Sequence, residues 1–249
     1  MTTATIPAPA TAPSGRNLQF RENSLEPDDN EGPFFVVNKR FLRIDVDGET
    51  WIRRGSVIAH RGDLVFRRER VIQGDLRGLC REFAPLARVT GRGRMFCAAE
   101  GKRAVVLQVM GAPVEVISTA LLAFEVSLTH HAHLVKHVGL VAGGLYCIQL
   151  DGFGLFGLSP KGDPLTLRVT PDQPVITDPD ATVAWTSGVT PHLKTGFDWR
   201  SLIGHGGGEA IEMELTGDGY VVVQAKEEDA SKRPLMRRAR SLVKKFVPI

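Results

Sequence analysis

The sequence predicts an all-β protein built from three similar β modules. From residue 34 onward, short runs rich in β-branched residues alternate with turn residues, a pattern typical of strands. Glycine (26 residues) and proline (15 residues) are plentiful, which favours turns over long helices. Two sequence markers also recur with a shared period of about 60 residues, and such periodicity indicates a repeated structural unit.

The composition excludes several classes of protein. The chain has 249 residues, of which 43% are hydrophobic, and this apolar content excludes wholesale disorder. Its three cysteines form no CxxC pair, which argues against a disulfide framework and a zinc ribbon. No apolar run reaches the roughly 18 residues that a transmembrane helix needs, and residues 1–15 lack the basic and apolar regions of a signal peptide. We therefore expect a cytoplasmic protein.

Three zones follow one another along the chain. Residues 1–33 are rich in Pro, Ala and Thr and then in acidic residues, so we expect a flexible arm there. Residues 34–226 carry the strand pattern, and residues 227–249 form a polar and then basic tail. One helix is predicted at 75–88, although Gly78 and Pro85 weaken it. The predicted strands include 34–37, 41–46, 63–66, 104–109, 114–117 and 220–224.

The repeat depends on two markers that keep step with each other. A Gly-x-Gly segment follows an apolar residue and a Thr or Asp, and its first glycines are Gly91, Gly152 and Gly217. A small alanine between larger residues recurs at Ala59, Ala123 and Ala184. Because glycine supplies the positive φ that tight turns need, we expect each Gly-x-Gly to be a hairpin turn. The alanines are expected where two sheets approach closely.

One copy of the glycine marker, Gly152 to Gly157, also matches the GxGxxG dinucleotide fingerprint. That fingerprint requires a helix directly after it, whereas the sequence continues as LSPKGDP, which predicts a turn. We therefore interpret the segment as a turn. No P-loop, nucleophile elbow, Cys–His dyad or HExxH motif is present. No catalytic residue and no cofactor are predicted, and Cys97 and Cys147 are expected to be buried and inert.

Two segments near the C-terminus, DWRSLIGHGGGE (198–209) and LTGDGYVVVQ (215–224), resemble the signature of the altered-inheritance-of-mitochondria-24 family. Residues 55–66 and 121–125 resemble its earlier signatures, so the resemblance covers about residues 35–226. Gly207 departs from the serine more usual in the family, and no mitochondrial presequence is found. The resemblance implies a TRAP-like fold of three β-sandwich units with double-stranded β-helix topology. The resemblance is to the bacterial branch, which supplies no established enzymatic activity to carry over, whereas the mitochondrial branch is tied to inner-membrane organisation.

A histidine cluster spans residues 130–137. On a strand, His131 and His133 would share a face, because side chains alternate between faces. Such an HxH pair presents two imidazoles to a metal ion in cupins, so a cupin-like metal-dependent enzyme or sensor is one alternative. The other is a plain connection between modules, because His131 and His137 would lie about 20 Å apart on an extended strand. Glu209 follows three glycines and is interpreted as a turn residue.

Charge is concentrated at the C-terminus. The chain has 31 basic and 28 acidic residues, a formal net charge of +3, but residues 231–249 alone hold seven basic residues and no acidic one. The rest of the chain therefore has 24 basic and 28 acidic residues, a net charge of −4. This acidic balance, with only 7% aromatic residues, argues against nucleic-acid binding by the body.

The tail predicts a basic amphipathic helix. Pro234 suits a first helical position, and an apolar stripe at helical spacing then runs from Leu235 to Val247. Such a helix is typical of binding to a membrane surface or a partner protein. The alternatives are docking on the acidic body and a disordered tail. The predicted contact residues are Arg237, Arg238, Arg240, Leu242, Lys244, Lys245 and Phe246.

The leading hypothesis is a non-enzymatic scaffold or binding protein that associates peripherally with the inner face of an anionic membrane, or with a partner protein, through its tail. The second hypothesis is the cupin-like metal site at His131 and His133. The third is a module that assembles homo-oligomers through exposed sheet edges, because an open edge strand offers backbone groups to another chain.

Overall fold

Strands make up most of the computed structural model, which describes residues 3–5, 19–21, 32–69, 86–135, 146–195 and 211–225. The one helical element within these ranges is a single 3-10 turn at Pro179–Ala181, where the side chain of Asp178 accepts the backbone N–H of Asp180. The all-β prediction is confirmed. The strands are β1 (Thr3–Thr5), β2 (Gln19–Arg21), β3 (Phe34–Val37), β4 (Phe41–Arg53), β5 (Val57–Arg68), β6 (Leu86–Cys97), β7 (Val105–Met110), β8 (Val114–Ile117), β9 (Leu121–Glu125), β10 (Leu128–Leu134), β11 (Tyr146–Leu158), β12 (Leu165–Val169), β13 (Val175–Thr177), β14 (Thr182–Thr186), β15 (Val189–Thr195), β16 (Ile211–Gly217) and β17 (Gly219–Val223).

Antiparallel pairing joins these strands into one large sheet and two small ones. The large sheet has twelve strands and runs in the order β12-β17-β14-β8-β11-β9-β4-β6-β5. Strands β7 and β10 also pair with β11, and β3 pairs with β4. The second sheet has the order β13-β16-β15. The third sheet is the pair β1-β2, which lies in the part of the chain that the sequence predicts to be an arm.

The helix predicted at 75–88 is wrong at its C-terminal end. Residues 86–88 begin β6, where Leu86 and Ala87 are buried and Arg88 lies between Trp51 of β4 and Arg67 of β5. As a strand, this segment forms backbone hydrogen bonds with a neighbour on each side. These bonds outweigh the weak helical preference of its sequence. Residues 75–85 of this helix, and the whole of the predicted tail helix, lie outside the described residues.

The Gly-x-Gly segments are not hairpin turns, so that prediction is also wrong. Strand β6 continues through Gly91, and β11 continues through Gly152. Residues 146–152 of β11 pair with β10, and residues 153–158 pair with β7. Strand β16 ends at Gly217 and β17 starts two residues later, but β16 pairs with β13 and β15, whereas β17 pairs with β12 and β14. In β11 and in β16–β17, the chain therefore changes partners at the glycines.

Glycine is required at these points because the backbone of a neighbouring strand comes very close. Gly91 has φ +124°, and a Cβ there would collide with the carbonyl oxygen of Asp63. Gly217 has φ +113°, and a Cβ there would collide with the carbonyl oxygen of Gly188. Positive φ and close backbone approach both favour glycine inside a strand. The marker residues identified in the sequence are therefore structural, although not as turns.

Two clusters of buried apolar side chains hold the sheets together. The first core surrounds β4 and β6 and includes Ile44, Ile52 and Met95, together with Leu122 and Ala123 of β9. The second core joins the strands from β7 to β17 and also contains Leu86 of β6; its buried residues include Phe124, Ile148, Phe156, Val183, Trp185 and Val221. Strand β9 supplies residues to both cores, so it links the N-terminal strands to the remainder of the molecule.

Candidate functional site

The histidine pair singled out in the sequence lies on β10. His131 and His133 share a face of this strand, as predicted, and their rings are nearly parallel with centroids 5.7 Å apart. The Nε2 atom of His133 lies 3.6 Å from Oε2 of Glu115 on β8. Gln149 of β11 donates from Nε2 to Oε1 of the same carboxylate at 2.9 Å. The three side chains of Glu115, Gln149 and His133 thus form one polar group.

Strand register brings these residues together from distant parts of the chain. Gln149 of β11 is paired with His131 of β10 on one side and with Glu115 of β8 on the other. Glu115 is in turn paired with Trp185 of β14. Sequence reasoning found the histidines but missed Glu115 and Gln149. The available signal was a single acidic residue inside the apolar run VEVI at 114–117.

Burial controls the electrostatics of this polar group. Glu115 is buried, and burial raises the pKa of its carboxyl group because the charged form loses hydration. The facing His133, the hydrogen bond from Gln149 and the more distant His131 each lower that pKa in part. The carboxylate of Glu115 and the imidazole of His133 are thus close enough for an ion pair but are not hydrogen-bonded to each other. Over the described ranges, no cluster of three or more His, Cys, Asp or Glu side chains has the geometry to hold a metal ion.

His130 points to the opposite face of β10 and belongs to an aromatic cluster. Its ring centroid lies 4.4 Å from that of Trp51 on β4 and 5.1 Å from that of Phe124 on β9. Trp51 and Phe124 are stacked with centroids 5.9 Å apart. Burial lowers the pKa of His130, while Glu69 raises it and His131 lowers it further. The cluster fastens β4 to β9 where those two strands pair.

The two buried cysteines and the buried Arg43 lie in environments that suit a role in packing. Cys97 and Cys147 are both buried, as predicted. Burial raises the pKa of Cys97 to about 12 and raises the pKa of Cys147 well above its ordinary value, so both are held as thiols. Arg43 is fully buried, forms an ion pair with Asp45 at 3.5 Å, and has its guanidinium 4.8 Å above the ring of Phe35.

Strand β5 presents the most extended open surface of the described chain. Ten of its twelve residues are exposed, and the partly buried exceptions are Val57 and Leu64. An open groove of about 230 Å³ lies between the two ends of this strand, with Ile52, Val57 and Phe66 as apolar lining and Arg54, Arg67 and Arg68 as basic lining. Such a groove suits an apolar group that carries a negative charge.

A second exposed apolar surface lies where β7 pairs with β11. Met110 and Phe153 are directly opposite each other and are 73% and 71% exposed. Gly111 allows this arrangement, since a Cβ there would press against the ring of Phe153. Exposed apolar side chains that adjoin one another in this way are a feature of interaction surfaces when they belong to a larger contiguous patch.

The tail contact residues predicted from the sequence, from Arg237 to Phe246, lie outside the described residues, as do Glu209 and His137. Among the residues that are described, no helix has the length and apolar character needed to cross a bilayer.

A family model described as mitochondrial biogenesis AIM24 matches residues 34–226. The chain belongs to the AIM24 family. The matched range begins at β3 and extends just beyond β17, so it contains both cores, and it confirms the resemblance found in the sequence.

The fold of this AIM24-family chain is similar to a crystal structure of the Streptococcus pyogenes protein SPYM3_0169. The TM-score is 0.61 at 17% sequence identity, and the match covers 86% of this chain and 99% of that chain. At this identity, the likeness concerns the fold alone. No curated protein matches this chain.

Proposed function

We propose that this AIM24-family protein is a non-enzymatic scaffold. In this proposal three β modules form the body, and the basic tail attaches it to an anionic membrane surface on the inner face of the membrane. The observation that carries the proposal is the charge of residues 231–249, which hold seven basic residues and no acidic one behind a body of net charge −4.

The pairing of the marker glycines supports a three-module body. Gly91, Gly152 and Gly217 are paired with Leu64, Leu128 and Val189, respectively. The spacings between these partners, 64 and 61 residues, equal those between the marker alanines Ala59, Ala123 and Ala184. The modules would then be β3–β6, β7–β11 and β12–β17.

The contacts between the proposed modules also repeat. Strand β4 of the first module pairs with β9 of the second, with Trp51 opposite Phe124. Strand β8 of the second module pairs with β14 of the third, with Glu115 opposite Trp185. Phe124 and Trp185 each directly follow a marker alanine. Both junctions therefore use the same strand positions, as expected for related units packed in series.

Two favourable terms support membrane attachment by the tail. A basic residue near an anionic surface contributes about 1 kcal/mol, and the tail has seven. Burying the stripe that includes Leu242 and Phe246 at the headgroup boundary adds a few kcal/mol by the area rule of about 25 cal/mol per Å². Ordering opposes both terms, because a helix of about 14 residues is marginal in water.

Co-sedimentation with vesicles tests this proposal. The full chain is compared with a chain ending at Ala230, on vesicles of phosphatidylcholine alone and on vesicles that also contain phosphatidylglycerol. We expect the full chain to pellet with the anionic vesicles, less so as salt rises, because screening is effective beyond about 10 Å at 0.1 M salt. Equal pelleting of the two chains, or no preference for anionic lipid, rejects the membrane role and favours docking of the tail on the acidic body.

The metal-dependent alternative at His131 and His133 stays a hypothesis, and it has its own test. If the scaffold proposal is correct, replacing both histidines by alanine changes the free energy of unfolding by at most about 1 kcal/mol, near the usual range for surface changes. The purified protein should then hold no stoichiometric metal. Elemental analysis that finds about one ion per chain, lost in the double variant, favours the alternative.

A further inference from the structure

The first part of β5 has no described strand on one side, whereas the equivalent strands β9 and β14 are paired on both sides. Strand β9 lies between β11 and β4, and β14 lies between β17 and β8. In the proposed repeat, residues 57–61 of β5 hold the same position as β9 and β14. This segment pairs with β6 on one side, and no described strand pairs with it on the other side.

Burial shows what the missing neighbour does at the other two positions. Leu122 of β9 and Val183 of β14 precede the marker alanines and are 0% exposed. Ile58 precedes the marker alanine of β5 and is 54% exposed. Leu122 packs in the core formed by the preceding module. Ile58 is therefore an apolar residue at a repeat position that becomes buried only when another module lies beside it.

A complementary open edge lies at the other end of the series. Residues 50–52 of β4 pair with β9, and residues 114–116 of β8 pair with β14. Their counterpart in the third module is β13, which pairs with β16 and with no other described strand. Ile176, at the centre of β13, is 53% exposed, whereas its counterpart Glu115 is buried.

The charges beside the two edges have opposite signs. Arg54 is exposed just before β5, and Arg67 and Arg68 are exposed near its C-terminal end. Asp172 and Asp180 are exposed on either side of β13. Complementary charges of this kind favour encounter and fix the orientation of two surfaces.

We propose that β13 of one copy of this chain pairs with residues 57–61 of β5 in a second copy. Within a chain, β4 pairs with β9 and β8 pairs with β14 at the junctions between modules. The proposed contact is the same junction formed between two chains. The internal registers place Val175 opposite Arg61, Ile176 opposite His60 and Thr177 opposite Ala59. Because the two edges differ, the contact is head-to-tail and leads to a ring or an open array. It rests on the three-module body proposed above and is independent of the membrane role.

Light scattering after size exclusion, performed on the full chain, tests the proposal. The wild-type chain should elute as an oligomer, and Ile58→Asp or Ile176→Asp should each reduce it to a monomer. The matched control is Val65→Asp, since Val65 is 53% exposed on the same strand but lies outside residues 57–61. A monomeric wild-type chain, or equal dissociation by all three variants, overturns the proposal. Circular dichroism confirms that each variant is folded.

Mixing the two interface variants distinguishes a head-to-tail contact from a symmetric one. The Ile58→Asp chain keeps an intact β13 edge, and the Ile176→Asp chain keeps an intact β5 edge. The mixture should therefore contain a dimer of one chain of each kind and nothing larger. Failure to form that dimer contradicts the proposed pairing of β5 with β13.

Cross-linking tests the register and the possibility that the chain closes on itself. A chain with both His60→Cys and Ile176→Cys should form disulfide-linked dimers and larger species under mild oxidation, whereas either single variant should not. A disulfide within one chain, detected as a faster monomer band, overturns the proposal. The monomeric Ile58→Asp and Ile176→Asp chains should still prefer anionic vesicles to neutral ones, because each keeps its tail, so failure here is separable from failure of the membrane role.

Discussion

At the scale of single residues, identical positions in the proposed repeat have different surroundings. Leu122 and Ile58 both precede a marker alanine, yet Leu122 is fully buried and Ile58 is 54% exposed. The contribution of each side chain to the free energy of unfolding therefore depends on whether a neighbouring module covers it. Truncating a side chain is costly chiefly where it leaves a cavity.

This difference gives the first prediction. Leu122→Ala should lower the free energy of unfolding by about 2–5 kcal/mol, since it leaves a cavity in the first core. Ile58→Ala should change it by no more than about 0.5 kcal/mol in the monomer, which is usual for exposed positions. Urea denaturation at low protein concentration, where any self-association is minimised, measures both. Similar losses in the two variants would show that the assigned equivalence or burial is wrong.

His130 gives a prediction about pH. Because burial against Trp51 and Phe124 lowers its pKa below 6.5, the unfolded chain binds more protons than the folded chain just below that pH. Stability from this residue is therefore complete above about pH 6.5 and falls as the pH drops through the window beneath it. His130→Phe should retain the packing and remove this loss.

The measurement for His130 is the difference in the free energy of unfolding between wild type and His130→Phe at pH 7.5 and at pH 5.5, near the ordinary histidine pKa of about 6.5. The difference isolates His130 from Glu115, whose raised pKa acts in the opposite direction by favouring the folded state as pH falls. The same difference at both pH values would contradict the account.

At the scale of the elements, strand prediction succeeded and the glycine segments were misinterpreted. The predicted strands 34–37 and 114–117 match β3 and β8 in full, because side-chain type along a strand is a local signal. Whether Gly-x-Gly turns the chain back or lets one strand change partners depends on non-local pairing. The same limit applies to the polar group, since the shared face of His131 and His133 follows from alternation, whereas Glu115 and Gln149 reach it only through the register of three strands.

The glycines give a prediction with a matched control. Gly48 and Gly91 are paired with each other on β4 and β6, and both have positive φ. A Cβ at Gly48 meets nothing within 4 Å, whereas a Cβ at Gly91 collides with the Asp63 carbonyl. Gly48→Ala should cost about 1–3 kcal/mol through backbone strain alone, and Gly91→Ala should cost more. Equal losses by urea denaturation would contradict the close approach of β5 to β6.

At the scale of the whole molecule, an acidic body is joined to a basic tail, and two strand edges of that body have no neighbour among the described strands. The edges offer a route to self-association, and the tail offers a route to a charged surface. Several tails held in one assembly would bind a membrane more strongly than one tail, because later contacts become intramolecular. Scaffolding at a membrane is therefore consistent with both proposals, although each can fail independently.

The measurement that tests membrane attachment most directly is the partition of two tail variants onto anionic vesicles. In one variant Arg237, Arg238, Arg240, Lys244 and Lys245 become Gln, and in the other Leu242 and Phe246 become Ser. The account predicts that the first variant loses both its binding and its dependence on salt, while the second binds more weakly but keeps the salt dependence. Wild-type binding by both variants would contradict attachment through the tail.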